Sequence, residues 1–329
     1  MNRKTFLNRL TLATVGGTAL LSSPFALTGC ARTRNELFFK ISLAQWSLHR
    51  TYFGDALDGG FGEFAETLQT SPNDVLQGTE DPLYFAQYTR EMFDINAIEY
   101  VNTFYFGRAE DQQYLNELKN IADNEGVRSV LIMCDAEGAL GDEDSDARQQ
   151  AVENHYKWVD MAKFLGCHSI RVNANSQGSY EEQMERSADG LRSLSEYAAG
   201  EDINVIVENH GGLSSNAEWL VDTIRMVDMP NCGTLPDFGN FTISEDEHYD
   251  IYKGTEELME FAKGVSAKAN VFDEDGYEAE MDYYRLMEIV KNAGFTDYVG
   301  IEYEGDQMSE IDGINATKDL LIRVGEELS

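Results

Sequence analysis

Three carboxylates in this chain stand where apolar, strand-like runs end. Glu208 closes Val205-Ile206-Val207, Asp237 follows Leu235-Pro236, and Glu302 follows Gly300-Ile301. A carboxylate at the end of such a run is costly to bury without a partner, and three brought together repel one another strongly. A shared divalent cation removes the conflict. Oxygen donors with at most one imidazole suit Mn2+, Mg2+ or a similar hard ion better than a thiolate-seeking one. The same residues also fit a structural network in which Arg171 and Lys268 satisfy the acids, and spacing alone leaves both readings open.

Further polar residues share these ends. His210 has the strand parity of Glu208, Arg171 and Asn173 share parity with each other, Asn240 lies a turn beyond Asp237, and Glu304 follows Glu302 on the same face. Together they suggest a pocket for hydroxyl groups. Near the start of the chain, Trp46 offers an aromatic face to a ring, with core filling as its alternative, and His49 stands at the same strand end. Glu99 carries the same ambiguity. Of the remaining histidines, His155 falls in a helical pattern, His168 precedes a strand and His248 lies in an acidic loop, so these three read as structural or exposed.

Eight β-rich runs must position these side chains: Phe39 to Trp46, Ala97 to Asn102, Ser129 to Cys134, Ser169 to Asn173, Asn204 to Glu208, Gly233 to Asp237, Gly264 to Lys268 and Tyr298 to Glu304. Between them apolar residues recur at helical spacing, as in Tyr283, Leu286, Met287 and Val290. Gly126, Gly166, Gly200 and Gly294 each stand where a helix must stop in the left-handed region before the next strand. Eight strand–helix units without a Gly-rich phosphate loop predict an α/β fold, a single (β/α)8 TIM barrel over 39–329, against a doubly wound sheet as the alternative. In a barrel the carboxyl ends of the strands converge on one pocket. The stretch 51–82, rich in Gly, Asp and Thr, reads as a long irregular first βα loop, either a lid or substrate wall or a disordered insertion.

The first residues, with Arg3, Lys4 and Arg9 ahead of an apolar run from Leu10 to Leu21, read as a signal peptide over 1–29. Leu27-Thr28-Gly29-Cys30 resembles the bacterial lipobox, which makes Cys30 the lipid anchor, 30–38 a short linker, and the protein exported to the periplasm or outer surface. The membrane is then met only through that lipid. A formal net charge of −34 excludes nucleic acid as a partner. Cys134, Cys167 and Cys232 show no metal spacing and read as small buried hydrophobes. Nothing in the sequence sets the oligomeric state.

The segments Glu208-Asn209-His210-Gly211-Gly212, Pro236-Asp237-Phe238-Gly239-Asn240, Ser266-Ala267-Lys268 and Ile301-Glu302-Tyr303-Glu304-Gly305 resemble, in this order, the sugar phosphate isomerase/epimerase family of xylose-isomerase-like TIM barrels. The likeness runs from about Ile41 to Leu321 and includes Leu43-Ala44-Gln45-Trp46-Ser47-Leu48-His49. It implies that Glu208, Asp237 and Glu302 hold one divalent metal. It also implies that Glu208 or Glu302 takes a proton from the carbon beside a sugar carbonyl, with Lys268 or His210 as the opposing acid. Where the family carries a histidine ligand on the seventh strand, this chain has Ser266. Trp46, His49, Arg171, Asn173, Asn240 and Glu304 then become substrate-binding residues. Export and the missing phosphate loop favour an unphosphorylated, possibly oxidised, sugar or glycoside. The alternative is a non-catalytic carbohydrate-binding lipoprotein that keeps the barrel pocket.

Replacing Cys30 by Ala is expected to leave the protein soluble or unprocessed in the producing cell. Unchanged membrane fractionation of that variant would contradict the lipobox reading.

Overall fold

Short runs rich in β-branched and apolar residues form eight strands: β1 Lys40–Ala44, β2 Ala97–Val101, β3 Arg128–Met133, β4 Ser169–Val172, β5 Asn204–Glu208, β6 Cys232–Leu235, β7 Val265–Ala269 and β8 Tyr298–Tyr303. In the computed structural model, which describes residues 36–329, neighbouring strands pair in parallel in the order β6-β5-β4-β3-β2-β1-β8-β7. Isolated parallel bridges Thr234↔Ala262 and Asp237↔Ser266 join the two outer strands and close the ring. The fold is a (β/α)8 barrel. Cys30 and the expected signal segment lie outside the described residues.

Strands covered on both faces bury nearly every side chain, which is why they read as continuous apolar runs rather than alternating ones; β2 and β4 are buried throughout. The surrounding helices are α1 Phe85–Phe93, α2 Gln112–Glu125, α3 Ser145–Leu165, α4 Tyr180–Gly200, α5 Ala217–Val227, α6 Ile251–Leu258, α7 Tyr283–Asn292 and α8 Glu310–Leu328. Side chains cap their first turns. Asp144 accepts from two backbone N–H groups ahead of α3, and Ser179 with Glu182 forms a reciprocal capping box on α4. Gly126 (φ 65) and Gly166 (φ 83) end α2 and α3 in the left-handed region. Gly200 does not do so; it is the last residue of α4, and Asp202 (φ 61) makes the turn instead.

Two further expectations need correcting. The first strand stops at Ala44, and Gln45–Leu48 winds into a 3-10 turn that carries Trp46. The stretch 51–82 is not irregular. It contains the helix Phe61–Thr70 and shorter helical turns, with Phe64, Leu68 and Val75 buried. Phe53 stacks on Phe104 with centroids 4.3 Å apart and meets Phe64 edge-on at 4.8 Å, so the insertion is anchored to the barrel by aromatic packing. Among the described residues, no helix is long and apolar enough to cross a membrane.

Candidate active site

The ends of β5, β6 and β8 bring Glu208, Asp237 and Glu302 together. All three are buried, and each offers a carboxylate oxygen within 4.8 Å of the others. Asp237 is the most closely held. Its Oδ1 accepts from the backbone N–H groups of Gly239 and Asn240, both at 2.8 Å, and its Oδ2 from the Ser266 hydroxyl at 2.6 Å. Asn209 pins the same turn, accepting from the Asp237 N–H at 2.8 Å and donating to the carbonyls of Asp237 and Asn240. Ser266 Oγ also lies 3.2 Å from Glu302 Oε2. A hydroxyl has one proton to donate, so Ser266 cannot satisfy both acids.

Two cations reach in. Arg171, on β4, places Nε 2.6 Å from Glu208 Oε2 and donates from Nη1 to Asp135 Oδ1 at 2.9 Å. The approach to Glu208 is off the N–H axis, so Glu208 Oε2 accepts no aligned hydrogen bond. Its other oxygen accepts from Asn240 Nδ2 at 3.1 Å. Lys268, on β7, lies 3.3 Å from Glu302 and 3.2 Å from Glu304. Arg171 and Lys268 therefore stand against Glu208, Asp237, Glu302, Asp135 and Glu304, and the site keeps an excess of negative charge.

That imbalance shows in proton affinity. Burial pushes Asp237 and Glu208 each up to about 7, with Lys268 and Arg171 respectively only partly offsetting it. Burial opposes ionisation of Glu302 too, but Lys268 and Arg171 outweigh it and hold that carboxyl below its usual range. Three hard oxygen donors, one of them an orphaned buried oxygen, form a set that fits a divalent ion of the Mg2+ or Mn2+ type.

A cavity of about 640 Å3 reaches the trio at Glu302, while Glu208 and Asp237, fully buried, lie behind its lining. Trp46, Arg171, Asn173, His210, Lys268 and Glu302 line it, with Asn240 and Glu304 at its side. His49 does not. It donates from Nδ1 to the Trp46 carbonyl at 2.8 Å and stacks on the Trp46 ring with centroids 5.2 Å apart, so it positions Trp46 and does not reach the cavity. Glu99 also stays out of it, accepting from Ser42 at 2.6 Å, with burial pushing its carboxyl up to about 8.

Other lining residues went unanticipated: Phe61, Asp135, Glu137, His155 and Asn175. Asp135 takes both Arg171 and the Asn173 amide, the latter at 2.7 Å. The strand-end criterion would have found it had the third strand been followed one residue past Cys134. His155 is buried as expected of a helical histidine, yet it lines the pocket, a role that its position within a helical pattern gave no reason to expect.

The sequence model of the xylose isomerase-like TIM barrel family matches residues 88–323, and the chain belongs to that family. No curated protein matches the sequence. Three of the similar solved structures are two epimerases and a family member. The 3-keto-D-glucoside 4-epimerase from E. coli is 17% identical (TM-score 0.57; 74% of this chain and 94% of that one). D-psicose 3-epimerase from Clostridium cellulolyticum H10, solved with D-tagatose, is 17% identical (TM-score 0.55; 76% and 91%). A xylose isomerase-like TIM barrel protein from Mycobacterium smegmatis, solved with magnesium, is 14% identical (TM-score 0.61; 88% and 97%). At these identities the likeness is one of fold.

Asp237 titrates near 3.8 when unfolded and about 7 when folded. Between those values the folded chain binds more protons than the unfolded one, so this residue's contribution to stability falls as pH rises through that window. In chelator-treated protein, the gain in thermal midpoint from Asp237→Asn is therefore expected to grow from about pH 4 to about pH 7 and then level off. A gain independent of pH would show that Asp237 is not strained by its charge.

Proposed function

We propose that this protein is a divalent-metal-dependent enzyme of the sugar isomerase/epimerase type. It removes a proton from the carbon beside a carbonyl of an unphosphorylated sugar or glycoside, and it works outside the cytoplasm from a lipid anchor at Cys30. The observation that carries this reading is the buried trio of Glu208, Asp237 and Glu302, whose oxygens converge within 4.8 Å. A divalent ion held there would supply Lewis acidity to stabilise negative charge growing on substrate oxygens.

The remaining chemistry belongs to the side chains. Glu302, the member of the trio that lines the cavity and is kept ionised by Lys268 and Arg171, is the carboxylate that would accept the proton. Lys268, 3.3 Å away, compensates the charge on Glu302, and His210 at the cavity wall can return a proton to the substrate. Asn240, Asn173 and Glu304 supply donors and acceptors for hydroxyl groups. Among the described residues, the two cations lining the pocket, Arg171 and Lys268, are already engaged by carboxylates, so a phosphorylated substrate would meet an excess of negative charge there. This favours a neutral sugar.

The carbohydrate-binding alternative draws on Arg171 reaching Glu208 at 2.6 Å and on Ser266 where the family has an imidazole. Hydrogen exchange separates the two. In D2O with Mn2+, D-fructose, D-psicose and D-tagatose are the ketose probes, and NMR reads deuterium at the carbon beside the carbonyl. Exchange is expected with the wild type, lost on chelation, restored by Mn2+ or Mg2+, and reduced at least about 100-fold in Glu302→Gln. No metal uptake and no exchange with any probe would put the binding-protein reading in its place.

A further inference from the structure

The cavity is larger than one sugar ring requires. A hexose has a dozen heavy atoms and fills on the order of 200 Å3, taking somewhat over half of a water's liquid volume of about 30 Å3 for each atom. The cavity holds about 640 Å3. Glu302, Glu304, Asn240, Lys268 and His210 line only its β5–β8 side. The remainder extends across the ends of β1 to β4 and has a wall of different chemistry.

Phe61 and Trp46 contribute aromatic side chains to that wall. Phe61 opens the insertion helix Phe61–Thr70 and is 49% exposed, although its neighbour Phe64 is buried and anchors the turn. Trp46 is fixed by His49 beneath one face and by Phe53 and Phe104 at its edge. The same wall carries His155, Asn175 and Glu137 beside the Arg171–Asp135 ion pair. His155 donates from Nδ1 to the Ala151 carbonyl at 2.7 Å, which leaves Nε2 an acceptor. Burial lowers its proton affinity, so the ring is neutral at physiological pH. The Asn175 side chain is exposed to the cavity and makes no hydrogen bond to the described residues. Glu137 is neutralised by Lys157 at 2.8 Å and by the Trp158 N–H at 2.6 Å. Aromatic rings beside neutral hydrogen-bonding groups and ion pairs already closed on themselves match the C–H face and hydroxyls of an uncharged sugar ring.

We propose that this half of the pocket is a second sugar-ring subsite: the substrate is a neutral, disaccharide-sized glycoside whose reacting ring lies at the β5–β8 side and whose second ring stacks on Phe61. The inference rests on the sugar-processing reading above but concerns binding alone. Calorimetry on the full mature chain with Mn2+ tests it, comparing methyl α-D-glucoside with maltose, methyl β-D-glucoside with cellobiose, and methyl β-D-galactoside with lactose. Phenyl glycosides of the same sugars serve as an aryl control. An aromatic stacking contact is worth up to about tenfold in affinity. At least one disaccharide is expected to bind about tenfold more tightly than its methyl partner and at least as tightly as its phenyl partner, with Phe61→Ala narrowing the gap to about threefold or less and Phe61→Tyr restoring it. Phe61 is half exposed, so the alanine variant should fold.

Pairs that bind alike, a gap that survives Phe61→Ala, a clear preference for the phenyl glycoside, or no binding by any probe would each overturn the subsite. A disaccharide preference that persists in a chain taking up no Mn2+ would support the subsite and sink the enzyme reading instead.

Discussion

Excess negative charge in a water-poor strand-end pocket is the constraint around which this barrel is arranged. Glu208, Asp237 and Glu302 are buried side by side, with Asp135 and Glu304 close by, and among the described residues Arg171 and Lys268 are the cations paired with them. Charge buried without compensation costs several kcal/mol per group on the order-of-magnitude scale for protein interiors. The surrounding structure is organised to contain it: two backbone N–H groups and a serine hydroxyl on Asp237, an asparagine on Glu208, and Asn209 pinning the turn that carries Asp237. The barrel also closes at this place, through the bridge between Asp237 and Ser266. The seam of the sheet and the acidic centre thus depend on the same residues.

Ser266 stands where the family resemblance implies an imidazole, and that difference has a physical consequence. A hydroxyl is shorter than an imidazole and brings one proton, which here serves Asp237 at 2.6 Å and leaves Glu302 to Lys268. Under the proposed metal-dependent function the three carboxylates would carry the full burden of holding a cation. A site so composed is harder and more anionic, and under that proposal would favour Mg2+ or Mn2+ over softer ions. Lys268 becomes the charge that keeps Glu302 ionised, a role that an imidazole ligand would leave less exclusive.

The barrel was legible because parallel strands buried on both faces appear in the sequence as uninterrupted runs such as Val205-Ile206-Val207, each followed by a polar end. The acidic trio was legible for the same reason. Arg171 reaching Glu208 could be anticipated only as one of two possibilities, since strand parity gives a direction and no distance. The insertion was misread because Gly, Asp and Thr dominate its composition, although Phe61, Phe64 and Leu68 are spaced as one helical face. His49 was misplaced because the chain turns into a 3-10 segment after Ala44, which breaks the strand parity on which its assignment relied. His155 reaches the pocket from a helix through tertiary packing, which local periodicity does not encode.

The presence of a divalent ion on the trio is the claim on which the rest turns, and anomalous diffraction from crystals grown with Mn2+ measures it most directly. The account predicts one manganese peak at about 2 Å from carboxylate oxygens of Glu208, Asp237 and Glu302, with the Arg171 guanidinium retained on Asp135. The absence of a peak, with Arg171 still seated on Glu208 and Lys268 on Glu302, would contradict it and identify the acidic cluster as a structural ion-pair network.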